Sequence, residues 1–176
     1  MRIERDKTAA LIIDYQERLV PAMDQKERLI ENSGILLAGL KELGIPMCVT
    51  QQYTRGLGMT VSDITSACGQ EEYVEKIRFS AYEDVKEWIS GKKYVLICGI
   101  EAHICVLQTV IDLKAAGYVP VLVTDCISSR RESDKTGAIE RAKEEGALTT
   151  TYEAVLFELL GEAGTPLSKK IQRLIK

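Results

Sequence analysis

Short apolar runs alternate along the chain with stretches in which apolar residues recur at helical spacing. Five runs have strand length and cover residues 8–14, 46–52, 93–99, 119–125 and 147–151. Helices are predicted at residues 26–43, 103–116, 133–145, 152–160 and 166–175. A weaker sixth strand is predicted at 71–76, ahead of a helix at 82–89. Residues 53–72 show no clear period and form the longest segment predicted to be irregular.

The apolar runs consist of nearly continuous Val, Ile and Leu, which is typical of strands buried on both faces. Helices placed between such strands form right-handed crossovers and produce a parallel sheet. The pattern therefore predicts an α/β fold, a three-layer αβα sandwich. A length of 176 residues fits a single domain that covers residues 1–176.

Charge and hydropathy exclude several classes of protein. The net charge is −3, with 23 basic and 26 acidic residues interspersed, so no basic stripe indicates nucleic-acid binding. No apolar run reaches the roughly 18 residues of a membrane span. The N-terminus is charged and lacks a small-residue cleavage site, so we expect no signal peptide. We expect a small-molecule substrate and neither nucleic acid nor membrane as a partner.

Cysteine and histidine content limits the chemistry further. The chain has five cysteines and no CxxC pair, which argues against a disulfide framework and a thiolate zinc site. Reduced thiols favour a cytoplasmic location. The single histidine, His103, excludes a multi-histidine metal site. We therefore expect no metal and no cofactor.

Three side chains with chemical potential follow predicted strands, where ligands bind in open α/β sheets. Asp14 closes the first strand, and burying a lone carboxylate is costly, although it equally fits a turn cap. Cys105 lies in the first turn of a predicted helix, where the helix dipole favours a thiolate. Free cysteine is also a common core residue. Lys76 follows a short apolar patch and by itself fits a solvated surface charge.

If the three side chains lie close together, they form a triad without histidine. Asp14 would be the general base and Cys105 the nucleophile. Lys76 would be the cation that stabilises both anions and lowers the thiol pKa. His103 lies two residues before Cys105, and residues two apart on a helix do not face each other. It is therefore a poor base for that thiol and a better candidate for a substrate contact or a structural role.

The chain resembles the isochorismatase-like cysteine hydrolase superfamily in four segments in the same order. They are ALIIDYQ, KIRFSAY, GIEAHICVLQTVIDLKAAGY and TDCISSR, and together the resemblance covers essentially the whole chain. The segments VTQQYTRGLGMTV and GALTTTYEAVLFEL are similar to the isochorismatase-domain proteins of bacteria and mitochondria, whose substrates are poorly defined. The resemblance implies a mostly parallel, Rossmann-like sheet of six strands in the order 3-2-1-4-5-6.

The resemblance also implies roles for particular residues. The catalytic aspartate, lysine and cysteine of the family fall on Asp14, Lys76 and Cys105. A cis peptide is implied at Ile100–Glu101, with an oxyanion hole built from the backbone N–H groups of Glu101 and Cys105. The implied activity is hydrolysis of a small amide-type C–N bond through a covalent acyl-enzyme, with the substrate unknown.

Departures from the family narrow the activity. Nicotinamidases carry a metal-binding aspartate and histidines after the second strand. This chain has TQQYTRGLG there, with neither aspartate nor histidine, which argues against a nicotinamidase-type metal site and against nicotinamidase activity. Siderophore-pathway isochorismatases lack the nucleophilic cysteine, so vinyl-ether hydrolysis is a weaker alternative than amide hydrolysis. A binding protein of the same fold with little turnover is a second alternative. No GxGxxG follows a strand, which argues against a dinucleotide oxidoreductase.

Substrate contacts and assembly are predicted less directly. Hydrogen bonds to substrate are assigned to Gln52 and His103, and packing against a flat group to Tyr53 and Phe79; each also fits ordinary loop packing. The family commonly forms dimers or larger rings, so we expect a homo-oligomer. The apolar face of the helix 166–175 fits docking either on its own core or on a partner.

Overall fold

A parallel sheet of six strands runs through the centre of the computed structural model, which describes residues 1–176. The strand order is β3-β2-β1-β4-β5-β6, and every neighbouring pair is parallel. The strands are β1 (Thr8–Ile13), β2 (Met47–Gln52), β3 (Val74–Lys76), β4 (Tyr94–Ile100), β5 (Val119–Ser128) and β6 (Leu148–Thr150). The predicted three-layer αβα fold and the order 3-2-1-4-5-6 are confirmed, and the sheet is parallel throughout.

Eight helices cover the sheet. They are α1 (Lys26–Glu42), α2 (Thr54–Leu57), α3 (Ser62–Cys68), α4 (Tyr82–Val85), α5 (Leu107–Ala115), α6 (Glu132–Glu144), α7 (Tyr152–Leu160) and α8 (Pro166–Ile175). One π-helical turn (Ala102–Val106) precedes α5, and short 3₁₀ turns lie at Arg5–Lys7 and Val20–Ala22. No helix has both the length and the apolar character that a membrane crossing requires.

The continuous apolar strands bury both of their faces, as their sequences predict. Along β1, Leu11 and Ile13 pack into a core with α5 and α6, while Ile12 packs into a second core with α1 and α7. Ile171 of α8 is completely buried in that second core. The C-terminal helix therefore docks on its own chain.

Several predicted elements differ from the structure. Residues 53–72 contain α2 and α3, which are too short to show a helical period. The predicted strand at 71–76 is ordered as a strand only over its last three residues, and the predicted helix at 82–89 ends at Val85. The predicted helix at 103–116 begins with the π-helical turn.

The fifth strand runs three residues beyond its predicted end. The register of β5 on β4 shifts between Leu122 and Ile127, so that Ile127 pairs with Gly99 after a bulge. The bulge contains polar residues, and because of them the sequence pattern predicts the end of the strand too early.

Candidate active site

Asp14 lies directly after β1, where the backbone leaves the sheet. Its φ angle is 56°, a left-handed conformation that is uncommon for a residue other than glycine and is often found at functional sites. Its N–H donates to the carbonyl of Thr50 (3.2 Å), and the Thr50 hydroxyl donates to Asp14 Oδ1 (2.8 Å). Asp14 is completely buried. The neighbouring strand therefore fixes both its backbone and one carboxylate oxygen.

Lys76 ends β3, and the register of the sheet brings it to the carboxylate. Gln52 of β2 pairs with Lys76, and both residues lie at the same edge of the sheet as Asp14. Lys76 Nζ is 2.7 Å from Asp14 Oδ2, and both side chains are completely buried. The ammonium also donates to Gln52 Oε1 (2.7 Å) and to the carbonyl of Phe79 (2.9 Å). A buried charge is tolerated only with such partners.

Asp14 Oδ2 is the one buried side-chain oxygen or nitrogen without a hydrogen bond. It forms an ion pair with the Lys76 ammonium at 2.7 Å. Cys105 lies next to both charged groups, close enough for its thiol to hydrogen-bond with either. The free lone pairs of Oδ2 are therefore available to accept a proton from the thiol.

Cys105 is carried by the π-helical turn between β4 and α5. The N–H of Val106 donates to the carbonyl of Glu101 (3.2 Å), a spacing of five residues. Such turns are rare and occur frequently at functional sites. The Thr109 hydroxyl donates to the Cys105 carbonyl (2.7 Å) and accepts from the N–H of Ala81 (2.9 Å). It thus joins the cysteine turn to the segment that follows Lys76.

Gly99 allows β4 to approach β1 directly beside the site. It pairs with Ile13, the residue before Asp14, and has a φ angle of 140°. A Cβ atom at this position would collide with the carbonyl oxygen of Ile13. The glycine of the GIEAHIC segment is therefore required where two strands bring the carboxylate and the cysteine together.

Burial dominates the electrostatics of the site. It raises the pKa of Asp14, and the Lys76 ammonium and the Thr50 hydroxyl oppose that rise. It also raises the pKa of the Cys105 thiol to about 12, a rise to which the negative charge of Asp14 contributes and which Lys76 opposes. Lys76 thus acts on the thiol pKa in the predicted direction, but desolvation and the carboxylate outweigh it, so the thiol pKa lies above its ordinary value. At neutral pH the thiol keeps its proton beside a carboxylate of increased basicity.

The peptide bond Ile100–Glu101 is cis, as the resemblance implies. The Glu101 carboxylate accepts hydrogen bonds from the backbone N–H (3.2 Å) and the Nε–H (3.0 Å) of Arg130. The segment after β5 thereby holds the turn that carries Glu101 and Cys105.

The four predicted substrate contacts are placed in different surroundings. The Gln52 amide is bonded at both ends, to Lys76 and to the carbonyl of Ile77 (2.7 Å), so it faces the lysine. Tyr53 and Phe79 follow Gln52 and Lys76 and are 50% and 54% exposed. His103 lies on the cysteine turn, with Nδ1 2.9 Å from the buried Ser129 hydroxyl.

Two contributors, Thr50 and Thr109, are absent from the predicted site. Thr50 pairs with Ile13 in the sheet, and Thr109 lies four residues after Cys105 on the same helical face. The register of β2 on β1 identifies Thr50, and the helical spacing from Cys105 identifies Thr109. Elsewhere, no group of three or more His, Cys, Asp or Glu side chains converges as metal ligands do.

Comparison with known proteins assigns the chain to a family. Residues 8–154 match the isochorismatase domain. The chain belongs to the isochorismatase family. It is 34% identical to the secreted isochorismatase effector Isc1 of Phytophthora sojae, over 99% of this chain and 87% of that protein. It is 36% identical to isochorismatase domain-containing protein 1 of Danio rerio, over 93% of this chain but only 59% of that protein.

Among solved structures, the MAR1 ribonuclease of Caenorhabditis elegans is 33% identical and superposes with a TM-score of 0.94, covering 99% of this chain and 92% of that one. The predicted membership of the isochorismatase-like superfamily is confirmed. The chain is accordingly a hydrolase of this family.

Proposed function

We propose that this hydrolase cleaves a small amide-type C–N bond through a covalent acyl-enzyme on Cys105. The observation that carries the proposal is the unpartnered, buried Asp14 Oδ2 beside a protonated thiol. A general base is effective when it lies within hydrogen-bonding reach of the proton that it removes. No other cysteine of the chain has a carboxylate and an ammonium as joint neighbours in this way.

In the first half of the reaction, Asp14 takes the thiol proton as the sulfur attacks the substrate carbonyl carbon. The oxyanion accepts hydrogen bonds from the N–H groups of Glu101 and Cys105, each of which contributes about 3–4 kcal/mol in comparable enzymes. Asp14 then gives the proton to the leaving amine as the C–N bond breaks. The Cys105 acyl thioester remains.

In the second half, Asp14 removes a proton from water, which attacks the thioester. The acid product leaves and the thiolate recovers a proton from Asp14, so the site returns to its starting state. Lys76 stays protonated and keeps the carboxylate oriented throughout. The raised thiol pKa is compatible with this scheme, because the proton is transferred during attack and no resting thiolate is needed.

The substrate contacts in this proposal come from His103, Tyr53 and Phe79. The ring of Phe79 and that of Tyr53 are exposed on the two segments that hold Lys76, where they are available to pack against a flat group. A small molecule is favoured over RNA as substrate because acidic and basic side chains are interspersed, 26 against 23.

A screen of small carboxamides, ureas and esters for release of ammonia, amine or alcohol tests the proposal. We expect turnover of carboxamides or ureas by the unmodified protein and none by Cys105→Ala. Turnover that survives in Cys105→Ala contradicts the mechanism. Stoichiometric binding of these compounds with no product and no adduct would support the alternative, a binding protein of this fold.

We also propose that the chain forms a homo-oligomer in the cytoplasm. Ile77 and Trp88 present large exposed apolar side chains outside the proposed substrate contacts, and all five cysteines are free, as in a reducing compartment. Sedimentation velocity of the purified protein tests the first part. A single species at the mass of one chain, 19.6 kDa, would contradict it.

A further inference from the structure

Gln52 contacts Lys76 at the end of the sheet with both ends of its side-chain amide fixed. Its Nε2 donates to the carbonyl of Ile77 (2.7 Å), which directs Oε1 towards the ammonium, also at 2.7 Å. Its backbone is held by the Gln16 side chain, which accepts from the Gln52 N–H (2.7 Å) and donates to its carbonyl (3.0 Å). Gln52 is 9% exposed. The position of its amide oxygen is therefore well determined.

The Lys76 ammonium has more oxygen neighbours than protons. Its three protons are shared among Gln52 Oε1, the carbonyls of Phe79 (2.9 Å) and Arg78 (3.3 Å), and Asp14 Oδ2. The first three are hydrogen bonds, and the last is an ion pair. Three uncharged oxygens thus compete with the carboxylate for the three protons of the ammonium.

We propose that Gln52 is a positioning residue that holds the Lys76 ammonium in an orientation leaving Asp14 Oδ2 free to accept the Cys105 proton. Without Gln52, one N–H of Lys76 is released and turns to Asp14 Oδ2, the unpartnered oxygen. The carboxylate then has its acceptor site filled and becomes a weaker base. This assignment rests on the proposed role of Asp14, but its test requires no substrate.

The test follows the titration of the Asp14 carboxyl carbon by NMR in the full-length ¹³C-labelled protein, with the resonance assigned by Asp14→Asn. The groups that face Asp14 are Lys76, the Cys105 thiol and the Thr50 hydroxyl. Gln52→Met removes the amide oxygen, and we expect the Asp14 pKa to fall by about one pH unit because a charged hydrogen bond is gained.

A second variant should move the same resonance in the opposite direction. Gln52→Glu keeps the shape of the side chain but adds a negative charge that shares the ammonium with Asp14. We expect its Asp14 pKa to rise by about one pH unit. This rise shows that the resonance responds to charge beside the ammonium, and the fall in Gln52→Met is the result that tests the positioning role.

Gln51 is the matched control. It is also buried, at 1% exposed, but its amide bonds to the hydroxyls of Thr60 (2.9 Å) and Thr54 (3.0 Å) on the other face of β2. Gln51→Met and Gln51→Glu should leave the Asp14 titration unchanged.

Equal Asp14 pKa values in Gln52→Met, Gln52→Glu and the unmodified protein would overturn the assignment, as would shifts of the same sign. If Gln52→Met does not fold, Gln52→Leu, which also lacks the amide oxygen and adds no charge, takes its place: a fall in the Asp14 pKa supports the assignment and no change overturns it. Opposite shifts in a protein that turns over no substrate would uphold the role of Gln52 and contradict the proposed hydrolysis.

Discussion

Cys98 and Cys105 lie seven positions apart in the chain, and they are similar in the exposed fraction of the side chain and in the pKa of the thiol. Cys98 is 2% exposed and Cys105 is 6% exposed. Burial raises the pKa of each thiol to about 12. A survey of cysteines by exposure and pKa alone would assign both to core packing.

Their neighbours separate them. Cys98 lies within β4 in the apolar core, with its sulfur 3.7 Å from the carbonyl of Leu11 and the Tyr15 hydroxyl nearby. Cys105 lies beyond the end of the same strand beside the Asp14 and Lys76 charges. In the proposed mechanism, the thiol of Cys105 differs from that of Cys98 because a base lies beside it to take its proton, and a low resting pKa is not required.

Removing the two sulfurs in turn should give the largest difference. Cys105→Ala should lower kcat/KM by about 10³-fold or more, because the nucleophile is lost. Cys98→Ala should leave kcat/KM within about threefold and lower the free energy of unfolding by about 1–2 kcal/mol, because it opens a small cavity. Steady-state kinetics and urea unfolding of both variants check this. Equal losses of activity would remove the distinction.

Asp14→Asn should reduce turnover by about 10²–10⁴-fold, because the amide cannot accept the thiol proton. The same change should lower the pKa of Cys105 from about 12, since the carboxylate charge that raises it is gone and Lys76 remains. The pKa is measured from the ultraviolet absorbance of the thiolate in Asp14→Asn. The absorbance of Asp14→Asn/Cys105→Ser, which lacks this thiol, is subtracted as the background. A thiolate midpoint that does not fall would contradict the assigned contact.

Gly99→Ala should destabilise the region in which β1 and β4 meet. The new Cβ collides with the backbone of Ile13 at a φ angle of 140°, and we expect a loss of about 2–4 kcal/mol in the free energy of unfolding together with reduced turnover. Gly91→Ala is the control, because Gly91 also has positive φ (80°) but has open space around it. It should cost about 1 kcal/mol, measured by the same urea titration.

Thr109→Val should lower kcat by about 10-fold to 30-fold with little change in KM, because the Cys105 carbonyl and the Ala81 N–H lose their shared partner. Thr109→Ser keeps the hydroxyl and should restore kcat to within about threefold. Thr124→Val removes a comparable hydroxyl bond to the carbonyl of Thr150 and should leave kcat unchanged. Failure of the serine variant to restore kcat would assign the effect to packing.

The smallest difference between the two cysteines concerns alkaline stability, in which they should behave alike. A folded pKa of about 12 lies above the ordinary thiol value of 9.0, so the stabilisation is complete below 9.0 and is lost as the pH rises towards 12. Removing either thiol should make this decline shallower by at most about 1.4 kcal/mol per pH unit. Urea unfolding across this range measures it, and a change in only one variant would show that the two thiols differ in acidity.

The sheet could be predicted because its strands are long and apolar without interruption, as in the run Tyr94–Ile100. The convergence of Asp14, Lys76 and Cys105 followed from strand ends and from the family resemblance. The thiol pKa could not be predicted, because it depends on how burial and one negative charge balance one positive charge. Nor could the partners of Gln52, because its orientation is set by the Ile77 carbonyl and by Gln16, contacts that no sequence period records.

Trapping of the acyl-enzyme tests the nucleophilic role of Cys105 most directly. The protein is mixed with p-nitrophenyl acetate, quenched in acid and mapped by peptide mass spectrometry. We expect acetyl on the peptide that contains Cys105, in the unmodified protein and in Cys98→Ala, and none on that peptide in Cys105→Ala. An acetyl group on another cysteine, or burst release of p-nitrophenol that persists in Cys105→Ala, would contradict this role.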